Sequence, residues 1–252
     1  MRAAESEHRR AVGAGPHAIA LALALSLAAC GLGSRPPAVT LVPAKPAPEQ
    51  SAVRLADGST LTHLAETKAQ IIEFHDSGEW AGQINQISAQ ATARLETELP
   101  TAKRPAIVLD IDDTALSTFA IQRKLGFGWD PGAWDEWVSG SVAPPHAGVL
   151  ALYRRALDQG VAVFFVTGRR EHLREATERQ LHAAGYGRWV GLHLKPDDYD
   201  LDSAVPYKTA ARRAIQEQGF EILVNVGDQW SDLEGGLARA TYKLPNPMYY
   251  RP

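Results

Sequence analysis

Ala106-Ile107-Val108-Leu109-Asp110-Ile111-Asp112-Asp113-Thr114 is the stretch on which the reading of this chain turns. Four apolar residues run directly into three carboxylates within four positions. So short an unbroken apolar run suits a parallel strand buried on both faces. It delivers Asp110 and Asp112, at alternate positions, to the carboxyl end of that strand, where open α/β sheets bind their ligands. Acids crowded this closely repel one another unless a cation sits among them or water screens them. A solvated acidic turn is the plain alternative. A calcium loop is a sharper one, and it fails: counted from Asp110, the sixth position is Ala115 where glycine is needed and the twelfth is Ile121 where glutamate is needed.

Outward from this stretch the same texture repeats. Apolar runs at Val161 to Val166, Val190 to Leu194 and Ile222 to Val226 predict further buried strands. Amphipathic stretches at Leu150 to Gln159, Glu171 to Ala184 and Lys208 to Gln218 predict the helices between them, the last two stopped by Gly185 and Gly219. Strands alternating with helices predict an α/β fold with a doubly wound parallel sheet. Upstream, Leu64 to Leu99 has apolar residues at helical spacing, broken at Asp76-Ser77-Gly78, which predicts two N-terminal helices.

Two of the later strands also end in polar residues, Thr167-Gly168-Arg169 after the second and Asp228 with Asp232 after the fourth, and Tyr207-Lys208-Thr209 stands at the start of the last helix. Taken singly these are unremarkable, since Thr167 could cap a turn and Lys208 could be a surface charge. In order and together with the DxDxT run they resemble the haloacid dehalogenase (HAD) superfamily. Phosphoryl chemistry asks for the same set, because an attacked phosphoryl group needs an in-line nucleophile with hydroxyl, ammonium and metal partners around its oxygens. The resemblance implies that Asp110 is the nucleophile and Asp112 the acid and base. Thr167, Gly168 and Lys208 would hold the phosphate. Mg²⁺ would be bound by the carboxylates of Asp110 and Asp228 and the main-chain carbonyl of Asp112, with Asp232 supporting the metal or Lys208. Dehalogenases of this superfamily lack the second carboxylate, so Asp112 points to phosphoesters.

The run from Tyr207 through Leu233, with Leu244-Pro245-Asn246-Pro247-Met248-Tyr249-Tyr250, is similar to the subfamily IIIB acid phosphatases, which include plant acid phosphatases and vegetative storage proteins. Bacterial class C lipoprotein acid phosphatases belong to the same wider group. The implied substrate is a small phosphomonoester, with nucleoside monophosphates as one candidate. A catalytically weak phosphate-binding or storage-like lipoprotein, and a phosphotransferase using the same intermediate, are the rival readings. The long connection between the first two motifs predicts a small α-helical cap, about residues 116–150. It holds Phe119, Phe127, Trp129, Trp134 and Trp137, which either stack on a flat leaving group or form the cap's own core, and Tyr249 and Tyr250 carry the same two readings. His146 and His172 have no metal-ligand spacing and are left outside the site.

The first thirty residues read as something else. His8-Arg9-Arg10 precedes an apolar run from Ala18 to Ala29, too short to span a bilayer and of the length of an export signal. Cys30, the chain's only cysteine, follows Leu27-Ala28-Ala29 and resembles the lipobox of bacterial prolipoproteins; an ordinary cleavage site with a free thiol is the alternative. The expected organisation is a signal over residues 1–29, lipidated Cys30 with a proline-rich linker to residue 60, and a catalytic domain over 61–252. The lipid would tie the protein to the cell envelope, outside the inner membrane. Gly31 is not the acidic residue associated with inner-membrane retention, so the resemblance points to the outer membrane. A composition of 45% apolar and 22% charged residues excludes a disordered or multispanning chain. A net charge of −3 with scattered basic residues argues against a nucleic-acid polymer as partner.

Overall fold

The computed structural model describes residues 52–251. The expected export signal, Cys30 and the expected linker up to residue 51 fall outside the described residues. The first described element is a feature that the sequence reading assigned to linker: an antiparallel hairpin of β1 (Ala52–Arg54) and β2 (Thr60–Thr62). Its turn rests on Asp57-Gly58. Gly58 has φ +85°, and the Asp57 carboxylate accepts from the amide and hydroxyl of Ser59. An Asp-Gly pair between short runs is a hairpin signal, here set among exposed side chains and therefore lost to a reading based on burial.

Two helices follow, α1 (Leu64–Asp76) and α2 (Glu79–Glu98), separated at Gly78, whose φ is +81°. The buried face of α2 is Trp80, Ile84, Ser88, Ala91 and Leu95, the three- and four-residue spacing of one helical stripe. The five-stranded sheet comprises β3 (Pro105–Leu109), β4 (Ala162–Arg170), β5 (Gly191–Lys195), β6 (Glu221–Gly227) and β7 (Ala240–Lys243), in the order β5-β4-β3-β6-β7 and parallel throughout. Four of these strands coincide with the predicted runs. The fifth, β7, is a half-exposed edge strand of mixed polarity, which apolar periodicity does not reveal.

Between β3 and β4 lie two short helices, α3 (Phe119–Lys124) and α4 (Pro131–Gly140), and then the crossover helix α5 (Ala147–Asp158). Helices α6 (Arg174–Ala183) and α7 (Val205–Glu217) make the later crossovers and end near Gly185 (φ +95°) and Gly219 (φ +86°), as predicted. Alternation along the strands separates two cores. Ile107, Leu109, Val163 and Phe165 face α2 and α5, while Ala106, Val108, Phe164 and Val166 face Ala211 and Ile215 of α7. A third cluster joins Ile121 of α3 and Trp134 and Val138 of α4 to Leu173 and Ala176, seating the two cap helices on α6. No helix among the described residues is long and apolar enough to cross a membrane.

The chain runs β3, β4, β5 outward to one edge and returns to β6 on the other side of β3. The reversal leaves a crevice between the carboxyl ends of β3 and β6, the place where such sheets bind ligands.

Candidate active site

Asp110 leaves β3 with its amide donating to Val226 O of β6 at 3.0 Å, so it stands beside Gly227 and one residue short of Asp228. Oxygens of Asp110, Asp228 and Asp232 lie within 4.8 Å of one another, and all three residues are buried. Lys208, near the start of α7, reaches into this group. Its Nζ donates to Asp110 Oδ1 at 2.8 Å and also to Asp232 Oδ1. Burial works against the lysine's charge, but the two carboxylates outweigh it and hold Lys208 above its ordinary range. Burial pushes Asp110 well up, reinforced by Asp232 and opposed by Lys208. Asp228 is pushed up to about 7 by burial and by repulsion from Asp232 and Asp113, although the amides of Asn246 and Gln229 each donate to its Oδ2 at 2.6 Å. Three acids facing one ammonium leave a negative surplus in a closed space. An all-oxygen donor set with that surplus fits a hard divalent cation.

Of the expected metal-site residues, the structure brings Asp110 and Asp228 together and adds the carboxylate of Asp232. Asp232 also accepts from Gln229 N at 2.8 Å, which fixes its orientation toward Lys208. Its approach depends on Gly227: a Cβ there would lie 2.2 Å from Asp232 Cβ. The Asp112 carboxylate stands apart from the cluster. Arg169, whose side chain is fully buried, engages it through Nε at 3.0 and 3.1 Å and Nη2 at 2.7 Å. Gln180 and Thr177 of α6 take the remaining guanidinium nitrogen.

Arg169 is reached by an irregularity. The β4–β5 register slips between Thr167 and Arg170, and a bulge of this kind re-aims side chains at a sheet's rim. Thr167 is buried with its hydroxyl accepting from Arg169 N at 3.1 Å, and Gly168 lines the cavity in front of it. The third acid of the run has a different task. Asp113 adopts a left-handed conformation, φ 56°, which aspartate tolerates better than most residues. It accepts from the amide and hydroxyl of Thr118 at 2.8 and 2.5 Å and from the hydroxyl of Tyr249 at 2.8 Å. Burial pushes its carboxyl up to about 7.

One cavity of about 620 Å³ holds Asp110, Asp112, Gly168, Lys208 and Asp228 in its wall. Phe127, Trp129 and Trp134 of the cap and Tyr249 and Tyr250 also line it. Phe119 and Trp137 do not; Phe119 stacks on His75, with centroids 3.5 Å apart, and serves the core. Sequence reasoning gave no role to Arg169, to the Asp113–Tyr249 bond or to Gln229 and Asn246 on Asp228. His146 is structural, packed edge-on to Trp80 and lowered to about 4 by burial and then by His75.

A family model described as HAD superfamily, subfamily IIIB (Acid phosphatase), matches residues 43–252. Over 159 residues the chain is 39% identical to the Stem 28 kDa glycoprotein of Glycine max, covering 61% of this chain and 63% of that protein. It is 36% identical over 173 residues to Acid phosphatase 1 of Solanum lycopersicum, covering 67% and 68%. The chain thus spans about two-thirds of the length of these relatives. The class C acid phosphatase of Bacillus anthracis superposes with a TM-score of 0.61 at 22% identity, covering 74% of this chain and 86% of that one. That likeness carries the fold alone.

Proposed function

Because the chain belongs to the HAD superfamily, subfamily IIIB, the acid phosphatases, we propose that it hydrolyses small phosphomonoesters through an aspartyl phosphate on Asp110. The observation that carries the reading is the Asp110 carboxylate held at 2.8 Å by Lys208, among two further buried acids, in the cavity that Asp112 also lines. Asp110 Oδ attacks phosphorus while the ester oxygen leaves, dividing one displacement into two. Lys208 neutralises phosphoryl oxygens as their charge grows. Asp112 serves as the acid toward the leaving oxygen and afterwards as the base toward the water that attacks the phosphoenzyme. Arg169 contacts Asp112 Oδ1 twice and Oδ2 once. Oδ2 is therefore the freer oxygen for that proton transfer, and Arg169 is a positioning residue for it.

We infer that the cation is Mg²⁺, held by Asp110, Asp228 and the Asp112 carbonyl. When bound, it would neutralise charge gathering on the transferred group. The aromatic walls from Phe127, Trp129 and Trp134 favour a flat leaving group, including a nucleobase. Cys30 is proposed to carry lipid that anchors the protein in the cell envelope, outside the inner membrane. Metabolic labelling with a fatty acid should mark the chain and fail to mark Cys30→Ser.

Purified protein lacking residues 1–30 should release phosphate from p-nitrophenyl phosphate with Mg²⁺ and lose nearly all of that activity in Asp110→Asn. Equal activity in the variant would remove Asp110 as nucleophile. Phosphate binding without turnover across a panel of esters would favour the storage-like reading.

A further inference from the structure

The rim of the cavity carries a group of cations that the chemistry at Asp110 does not use. Arg170 and Lys195 are register partners at the carboxyl ends of β4 and β5, and both line the cavity with Arg251. Like charges on neighbouring strands repel, so placing two at one sheet edge needs an offsetting partner. Arg170 spends its guanidinium on the carbonyls of Pro196, Asp197 and Tyr199, at 3.2, 2.5 and 3.2 Å, which fixes its position, and the nearby Asp197 carboxylate feels its charge while bonding His172 rather than Arg170. Lys195 Nζ sits 5.4 Å from the Tyr199 ring centroid, and Arg251 lies 4.4 Å above Trp129. Among the described residues, none of the three forms an ion pair with a carboxylate. Two acids share this part of the lining. Asp135 is taken by His172 at 3.0 Å, and Asp202 pairs with none of the three cations.

We propose that Arg170, Lys195 and Arg251 form a second anion subsite, and that the preferred substrates are phosphomonoesters whose leaving group carries a second phosphate. The inference rests on the phosphatase reading and narrows it to a substrate class. A phosphate matches the subsite because its double charge and several oxygens can engage more than one cation at once. Enclosure matters too: a cavity of about 620 Å³ takes a nucleotide-sized molecule whole. Burial, and then Arg170, Arg251 and Lys208, lower Lys195 from its ordinary value, and no carboxylate counteracts them. An arriving dianion would relieve that repulsion.

The test compares adenosine 3′,5′-bisphosphate with adenosine 5′-monophosphate, which differ only in the second phosphate. The wild-type protein should favour the bisphosphate in kcat/KM for phosphate release. Lys195→Met, which keeps the stem against Tyr199 and removes the charge, should lower the bisphosphate-to-monophosphate ratio about tenfold, the scale of one charge-assisted contact. Lys195→Arg should restore most of it. An unchanged ratio in Lys195→Met, or equal loss on both nucleotides, would overturn the subsite. Calorimetric dissociation constants of both nucleotides for the Asp110→Asn protein give the same ratio without turnover. A wild-type protein that hydrolyses neither ester but binds the bisphosphate more tightly through Lys195 would therefore sink the phosphatase reading and leave the subsite standing.

Discussion

Asp228 and its neighbours set the first expectation. Three buried acids repel one another around one ammonium, so a divalent cation that binds only the folded chain should stabilise it, by about 2.7 kcal/mol at one hundred times its dissociation constant. Thermal unfolding with and without Mg²⁺ should show that gain in the wild type and lose most of it in Asp228→Asn. Arg169 gives a second expectation. Arg169→Lys keeps one charge but cannot reproduce the three contacts to Asp112, so kcat should fall about 10- to 100-fold, the range seen when a group orienting a reacting side chain is lost. KM should move much less. The loss should shrink for esters of acidic phenols, which depart without a proton; an equal loss for all leaving groups would count against the positioning role. Gly227→Ala should destabilise the fold by about 1–3 kcal/mol, since its new methyl meets Asp232 rather than a flexible chain end. Denaturant titration measures it.

At the scale of elements, a histidine adds a polar clasp to the apolar seat of the cap. His172, in the turn between β4 and α6, meets Asp197 of the loop after β5 at 2.6 Å and Asp135 of α4 at 3.0 Å. Hydrogen bonds to Asp197 and then Asp135 raise its pKa. A raised histidine contributes its link fully below its unfolded value, about 6.5, and loses it as pH rises through the folded value. Amide exchange in α4 should therefore quicken as pH rises through that window, and His172→Gln should flatten the dependence. What could be read of the elements follows the same physics. Ile107 to Leu109 and Ile222 to Val226 are buried on both faces and announce themselves as unbroken apolar runs, whereas β7 and the β1–β2 hairpin are exposed and leave no such trace. Asp110, Lys208 and Asp228 fall at strand ends or a helix start, where sequence order locates them. Arg169 on Asp112 and Tyr249 on Asp113 are pairings across 57 and 136 positions, and only the folded chain brings them together.

Across the whole molecule, the segment after β7 returns to the crevice and forms part of its wall. Trp80 Nε1 of α2 donates to Pro245 O at 2.7 Å, and the residues just beyond place Asn246 on Asp228 and Tyr249 on Asp113. Trp80→Phe should cost about 1 kcal/mol, the net worth of such a bond, and a proteolysis assay should show residues 245–251 cut sooner than in the wild type. The placement of this segment also bears on biogenesis. A nascent chain that has delivered every strand of the sheet to the folding environment still lacks the two side chains that brace its acids, so competence should wait for the segment that follows β7, and a product cut off just after that strand should be inert.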